Sequence, residues 1–283
     1  MPTTLPRTSS VWDLPTPLAI GWMQPLNWLA LGWKDMARAP WLSLGHGLGL
    51  ALLGAVILLL GHNRFWLMAG ALSGFLVVGP VVATSLYAIS RALERGETVD
   101  SALVRRTWLH WQQGNRRGSD YWCLVQFGLL LAVSATGWLV ISASLITLLA
   151  PVRIATPLDF IEHVVLASDS TLFSWWLALG SLLAAPIFAS SVVSMPLLLD
   201  RKVSLPQAVL TSWLVILQNP VPMAIWAGLI LMFTLLGLAS LMLGLVLVMP
   251  MLGHASWHAY RDLVDASGFA LREANAAPGS EVT

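Results

Sequence analysis

From Pro220 to Tyr260 the chain runs for 41 residues without one Asp, Glu, Lys or Arg. A helix crosses about 30 Å of hydrocarbon with about 20 apolar residues. The run is therefore too long for one crossing and long enough for two, joined by a tight turn near residues 237–240. A single long tilted span with a re-entrant stretch is the alternative. Composition agrees with a membrane setting. Of 283 residues, 57% are apolar and 10% charged, whereas a soluble domain carries about 25% charge, and mean hydropathy is +0.75. These values exclude a soluble globular enzyme and a disordered chain, and the single Cys123 excludes a disulfide-built domain. The net charge of +1 implies no nucleic acid or acidic partner.

Further apolar stretches fall at about 41–60, 65–90, 122–150 and 172–199, and the long run divides into 221–238 and 240–260. The expected fold is all-α: a polytopic bundle of six transmembrane helices arranged as three hairpins. With six spans, thirteen of the fifteen Lys and Arg share the side of the termini, leaving Arg64 and Arg153 opposite. The positive-inside rule then puts both termini in the cytoplasm. Residues 1–24 lack a continuous apolar core, so no cleaved signal peptide is expected and the first span serves as its own insertion signal. Tryptophans gather at the span ends, with Trp28, Trp33, Trp41, Trp108, Trp111, Trp122, Trp213 and Trp257 inside and Trp66, Trp175 and Trp176 outside. That is the placement of interfacial anchors.

The chain also matches itself. Trp33 precedes Pro40 as Trp213 precedes Pro220, and Pro80, Tyr87, Arg91 and Leu93 align with Pro250, Trp257, Arg261 and Leu263. Each hairpin follows a segment with helical apolar spacing. The first carries Leu26, Leu29, Trp33 and Met36, with Lys34, Asp35 and Arg38 turned away. The second carries Val104, Trp108 and Trp111, opposed by Arg105, Arg106 and Gln112. The third carries Val209, Trp213 and Ile216 after a capping box at Ser204–Gln207. Such helices lie in the headgroup plane. The predicted organisation is a flexible cytoplasmic tail (1–25), a six-span domain with a threefold internal repeat (26–265) and a second flexible tail (266–283).

The spans hold almost no carboxylate and no Lys or Arg, which argues against proton pumping. Asp35, Glu94, Asp200 and Asp262 are expected as solvated partners of cations at the cytoplasmic rim. Histidine is the exception. His254 and His258 stand four apart on one helix face, and His46 lies at similar depth on the first span. Three imidazoles converging there would suit zinc, copper or haem. Hydrogen-bonded interfacial histidines, with no cofactor, are the simpler expectation. The glycines at 45, 47 and 49, and those at 70 and 74, suggest close helix packing. No H-E-x-x-H, G-x-S-x-G, P-loop or G-x-G-x-x-G motif occurs.

The stretches Gly79-Pro80…Tyr87-x-x-Ser90-Arg91…Glu94-Arg95-Gly96-Glu97-x-Val99, Ser194-Met-Pro196-Leu-Leu-Leu-Asp200-Arg201, Asn219-Pro220 and Gly253-His254-Ala-Ser-Trp257-His258-Ala-Tyr260-Arg261-Asp262 resemble a bacterial integral-membrane family, domain of unknown function 2189. The likeness runs from about Trp33 to about Val264 and implies a multi-span bacterial protein with no established activity. Some members carry a cytochrome oxidase label. This chain lacks the haem and copper histidines of the large oxidase subunit, so an accessory association is the most the label implies. The expected role is a non-enzymatic accessory, assembly or scaffold component of the bacterial inner membrane, with the lipid bilayer and other inner-membrane proteins as partners. A transporter or channel for a small neutral or lipidic solute, along the proline-kinked spans with Thr84, Ser85, Ser190 and Ser191, is the alternative. A metal- or haem-binding protein associated with a respiratory oxidase is a second.

Overall fold

The computed structural model describes residues 13–61, 79, 81–113, 122–167 and 171–272. The described chain is helical apart from one short strand pair. In order run β1 (Thr16–Pro17), α1 (Gln24–Arg38), α2 (Pro40–Gly61), α3 (Thr84–Arg95), α4 (Ser101–Gln113), α5 (Trp122–Leu149) and α6 (Pro157–Phe160), which continues into a π turn (Ile161–Val165). Then come α7 (Leu172–Ser191), α8 (Ser194–Asp200), α9 (Leu205–Gln218), α10 (Pro220–Ala239), α11 (Leu245–Leu263) and β2 (Val264–Asp265). Among the described residues four helices are long and apolar enough to cross a membrane: Pro40–Leu60, Trp122–Leu149, Leu172–Asp200 and Pro220–Ala239. Most of the expected span at 65–90, with Trp66, Gly70 and Gly74, lies outside the described residues.

The 41-residue apolar run does divide in two. The break falls at residues 240–244, where Leu241 and Met242 take φ of 54° and 70°. Positive φ is costly for residues with a Cβ, and Ser240 helps hold the turn by accepting the Gly244 N–H at 2.7 Å. The third amphipathic segment forms as expected, with Ser204 and Gln207 closing a reciprocal capping box.

Helix α11 is the hub: α1, α2, α3 and α10 all pack against it. Glycines allow this approach. A Cβ at Gly32 of α1 would stand 2.6 Å from the Met251 carbonyl oxygen, and one at Gly47 of α2 would collide with the Val246 backbone. From the other direction, Gly253 of α11 makes room for Leu86 of α3. Of the 45–47–49 glycines only Gly47 is a packing seam, because Gly45 and Gly49 meet nothing within 4 Å. On the far side, Trp176 of α7 donates to Ser142 of α5 at 2.8 Å and contacts Trp138, Phe160 and Phe173.

Both supposed tails contain fixed structure. Pro17 pairs with Val264 and Thr16 with Asp265, Leu18 donates to the Leu263 carbonyl, and the Asn219 side chain bonds the backbone of Leu18 and Ile20. Beyond β2, Arg272 is buried, and its guanidinium donates to the Arg201 and Val203 carbonyls. Residues 13–25 and 266–272 therefore belong to the packed body, because their backbone groups complete the strand pair and cap the helix ends.

The first amphipathic helix departs from its expected facing at Asp35, which is buried instead of turned away with Lys34 and Arg38. Trp28, Gly32, Asp35 and Met36 are buried, while Leu26 and Trp33 are exposed. Trp28 and Trp257 are not lipid anchors either. Both are about 1% exposed or less, and their indole N–H groups donate to Asp262 at 2.8 Å and Glu94 at 2.9 Å. In α9 the buried face is Ala208, Thr211, Ser212 and Val215, with Trp213 exposed.

Candidate functional site

The polar side chains of α1, α2, α3 and α11 meet in one buried cluster. Ser43 of α2 donates to the Ala39 carbonyl at 2.8 Å, as hydroxyls in helices commonly do four residues back. Having given up its only proton, its oxygen accepts from Nε2–H of His254 at 2.9 Å. Neutral His254 then receives the Ser90 hydroxyl at Nδ1, at 2.8 Å. His46 carries the opposite tautomer. Its Nδ1–H donates to the Leu42 carbonyl at 2.7 Å, and its Nε2 accepts from Ser85. The third ring, His258, donates Nε2–H to Asp35 at 2.8 Å.

This geometry corrects the metal expectation for His46, His254 and His258. A metal needs an unshared imidazole lone pair, and serine hydroxyls already occupy those of His46 and His254. Among the described residues no group of three or more His, Cys, Asp or Glu is placed to hold a metal ion. The i,i+4 spacing of His254 and His258 is real, but the two rings engage different helices. Sequence reasoning missed Ser43, placed Ser85 on a solute path and Ser90 only in a family motif, and paired none of them with the histidines. Their signal was small hydroxyls at the depth of the histidines, within otherwise apolar helices.

Asp35 and Asp200 also depart from the solvated reading. Asp35 is 5% exposed and Asp200 2%. Burial by itself would raise the Asp35 carboxyl. The hydrogen bond from His258, together with imidazole charge, outweighs it and holds the group below its ordinary value of 3.8. A carboxyl depressed on folding adds stability above its unfolded pKa and loses it as pH falls through the folded value. Wild type should therefore be more stable than Asp35→Asn at neutral pH, and the margin should shrink below about pH 4. Thermal unfolding across a pH series reads this directly.

A second cluster surrounds Asp200 at the end of α8. It accepts from Arg95 at 3.1 Å, Arg201 at 2.9 Å and the Tyr260 hydroxyl at 2.9 Å. Arg91 adds a bond to the Leu199 carbonyl. Glu94 links Trp257 to Arg261, and Asp262 ties Gln24 to Trp28. These residues join α1, α3, α8 and α11 at the ends where the arginines gather.

The hydroxyls considered for a solute path are bonded within the protein, two to carbonyls of their own segment and two to side chains of other helices. Thr84 donates to the Val81 carbonyl and Ser191 to the Phe188 carbonyl, Ser85 binds His46, and Ser190 accepts from Trp213.

Residues 67–200 match the model of a family described as "Predicted integral membrane protein (DUF2189)", the family that the motifs resemble; the match takes in the stretches from Gly79 to Val99 and from Ser194 to Asp200 and leaves those at 219–220 and 253–262 outside it. No curated protein and no solved structure matches the chain.

Proposed function

Taking that family of integral membrane proteins as the premise, we propose that this chain is a non-enzymatic accessory, assembly or scaffold component of the bacterial inner membrane. The reading rests on one observation: the polar side chains described in the bundle interior are bonded to one another across helices. Asp35 to His258, and His254 to Ser43 and Ser90, each join α11 to a neighbouring helix. Interior polar groups used in this way specify which helices pack together. The proposal includes six crossings as three hairpins, each led by an interfacial helix, with both termini in the cytoplasm. The recurrence of a shorter helix before a long one, at α1–α2, α4–α5 and α9–α10, supports the repeat. Exposed apolar side chains along α2, α5, α7 and α10 suit a lipid boundary.

Purification of the tagged chain from native membranes after mild crosslinking tests the role. A membrane protein recovered at fixed stoichiometry is the expected result. Solute flux through the chain alone in proteoliposomes would overturn it in favour of a transporter. Orientation has its own test, in a Cys123→Ser background. A cysteine at His163 should react with an impermeant thiol reagent from outside the cell, and one at Gly268 should not.

A further inference from the structure

Helix α1 presents three distinct faces. One, formed by Trp28, Gly32, Asp35 and Met36, is buried. A second, Leu26, Ala30, Trp33 and Ala37, is exposed and wholly apolar, with steps of four, three and four residues that align them on one side. The third, also exposed, carries Asn27, Lys34 and Arg38. Trp22 and Trp41, 61% and 87% exposed, flank the two ends. The exposed charge of α1 itself is one-sided. The acid of α1, Asp35, is buried against His258, with Arg38 4.0 Å from its other oxygen. Neighbouring α4, whose Leu103 and Val104 pack against the cluster containing Ala39 at the end of α1, adds exposed Arg105 and Arg106 against the one exposed carboxylate of Asp100, which accepts the Leu103 N–H.

We propose that the exposed faces of α1 form a binding surface for anionic phospholipid headgroups. Leu26, Ala30 and Trp33 enter the acyl boundary, and Lys34 and Arg38 contact the phosphates. The adjacency of the two faces carries the inference. An apolar stripe alone would suit any hydrophobic partner. A stripe bordered by cations without a free acid, and flanked by exposed tryptophans, matches a negatively charged leaflet in both depth and sign. The proposal extends the membrane reading by naming the lipid class, and it stands independently of the scaffold role.

The test uses the full chain in nanodiscs of phosphatidylcholine, with and without about one-third phosphatidylglycerol. Spin labels are placed at Ala30→Cys and Lys34→Cys in the Cys123→Ser background. The label at 30 should be reached by oxygen and shielded from a water-soluble nickel relaxant, and the label at 34 should be reached by nickel. After detergent extraction, the wild type should retain phosphatidylglycerol in preference to phosphatidylcholine. Removing each cation, as Lys34→Gln or Arg38→Gln, should weaken that preference about fivefold. Both side chains are exposed, and an unchanged melting temperature identifies variants that remain folded. Nickel access at position 30, or a lipid preference unaffected by either substitution, would overturn the proposal. Shielding of position 30 from both reagents would overturn it too, because it would mean that protein covers this face.

Discussion

Replacing Gly47 with alanine should cost about 3 kcal/mol or more of stability, whereas the same change at Gly45 should be neutral or gain up to about 1 kcal/mol. The two residues lie in the same apolar helix, two positions apart. A methyl group at 47 would drive into the Val246 backbone, which cannot rotate away as a side chain can. At 45 it meets open space, and alanine is the better helix former. Gly32→Ala should behave like Gly47→Ala, because its Cβ would stand 2.7 Å from the Ala255 nitrogen and 2.6 Å from the Met251 oxygen. The measurement is the melting temperature in detergent, followed by size-exclusion chromatography. Equal effects at 45 and 47 would mean that α2 does not approach α11 backbone to backbone.

The second large effect is expected at Asp200. Asp200→Ala should destabilise by about 3–5 kcal/mol, since truncating one member of a buried ionic group leaves the others without their counter-charge. Arg95, Arg201 and the Tyr260 hydroxyl all converge on this carboxylate. Tyr260→Phe removes one neutral donor and should cost about 1 kcal/mol. Combined with Asp200→Ala it should add little more, because the hydroxyl has by then lost its acceptor. Full additivity in that cycle would contradict the contact. Asp35→Ala should act through the same principle at the α1–α11 contact, with the acid dependence described above.

Much of the architecture was legible in the chain. Length and apolarity identify membrane helices because lipid forces every backbone group to bond within its own segment. The division of the 41-residue run, the four described spans and the capping box at Ser204 follow from such local rules. Facing directions were less legible. In a soluble helix the apolar stripe marks the core. In α1, lipid and protein both accept apolar side chains, so Leu26 and Trp33 face outward while Asp35 faces inward, and periodicity could not tell one apolar environment from the other. Trp28 and Trp257 were obscured for the same reason: an interfacial anchor and a buried donor to a carboxylate have the same sequence signature.

The candidate site divides along the same line. By itself the sequence determined that the chain is a membrane protein with helices at these places, and that His254 and His258 share a face, because composition and helical period are properties of neighbouring residues. Only the tertiary structure decided which groups the imidazoles meet. Ser43, Ser90 and Asp35 lie 211, 164 and 223 residues from their histidine partners. No spacing rule reaches across such separations. They are brought together because glycines let α1 and α2 close on the α11 backbone and Gly253 of α11 admits Leu86 of α3. Once those helices are in place, the buried polar atoms bond to one another because water is no longer there to serve them.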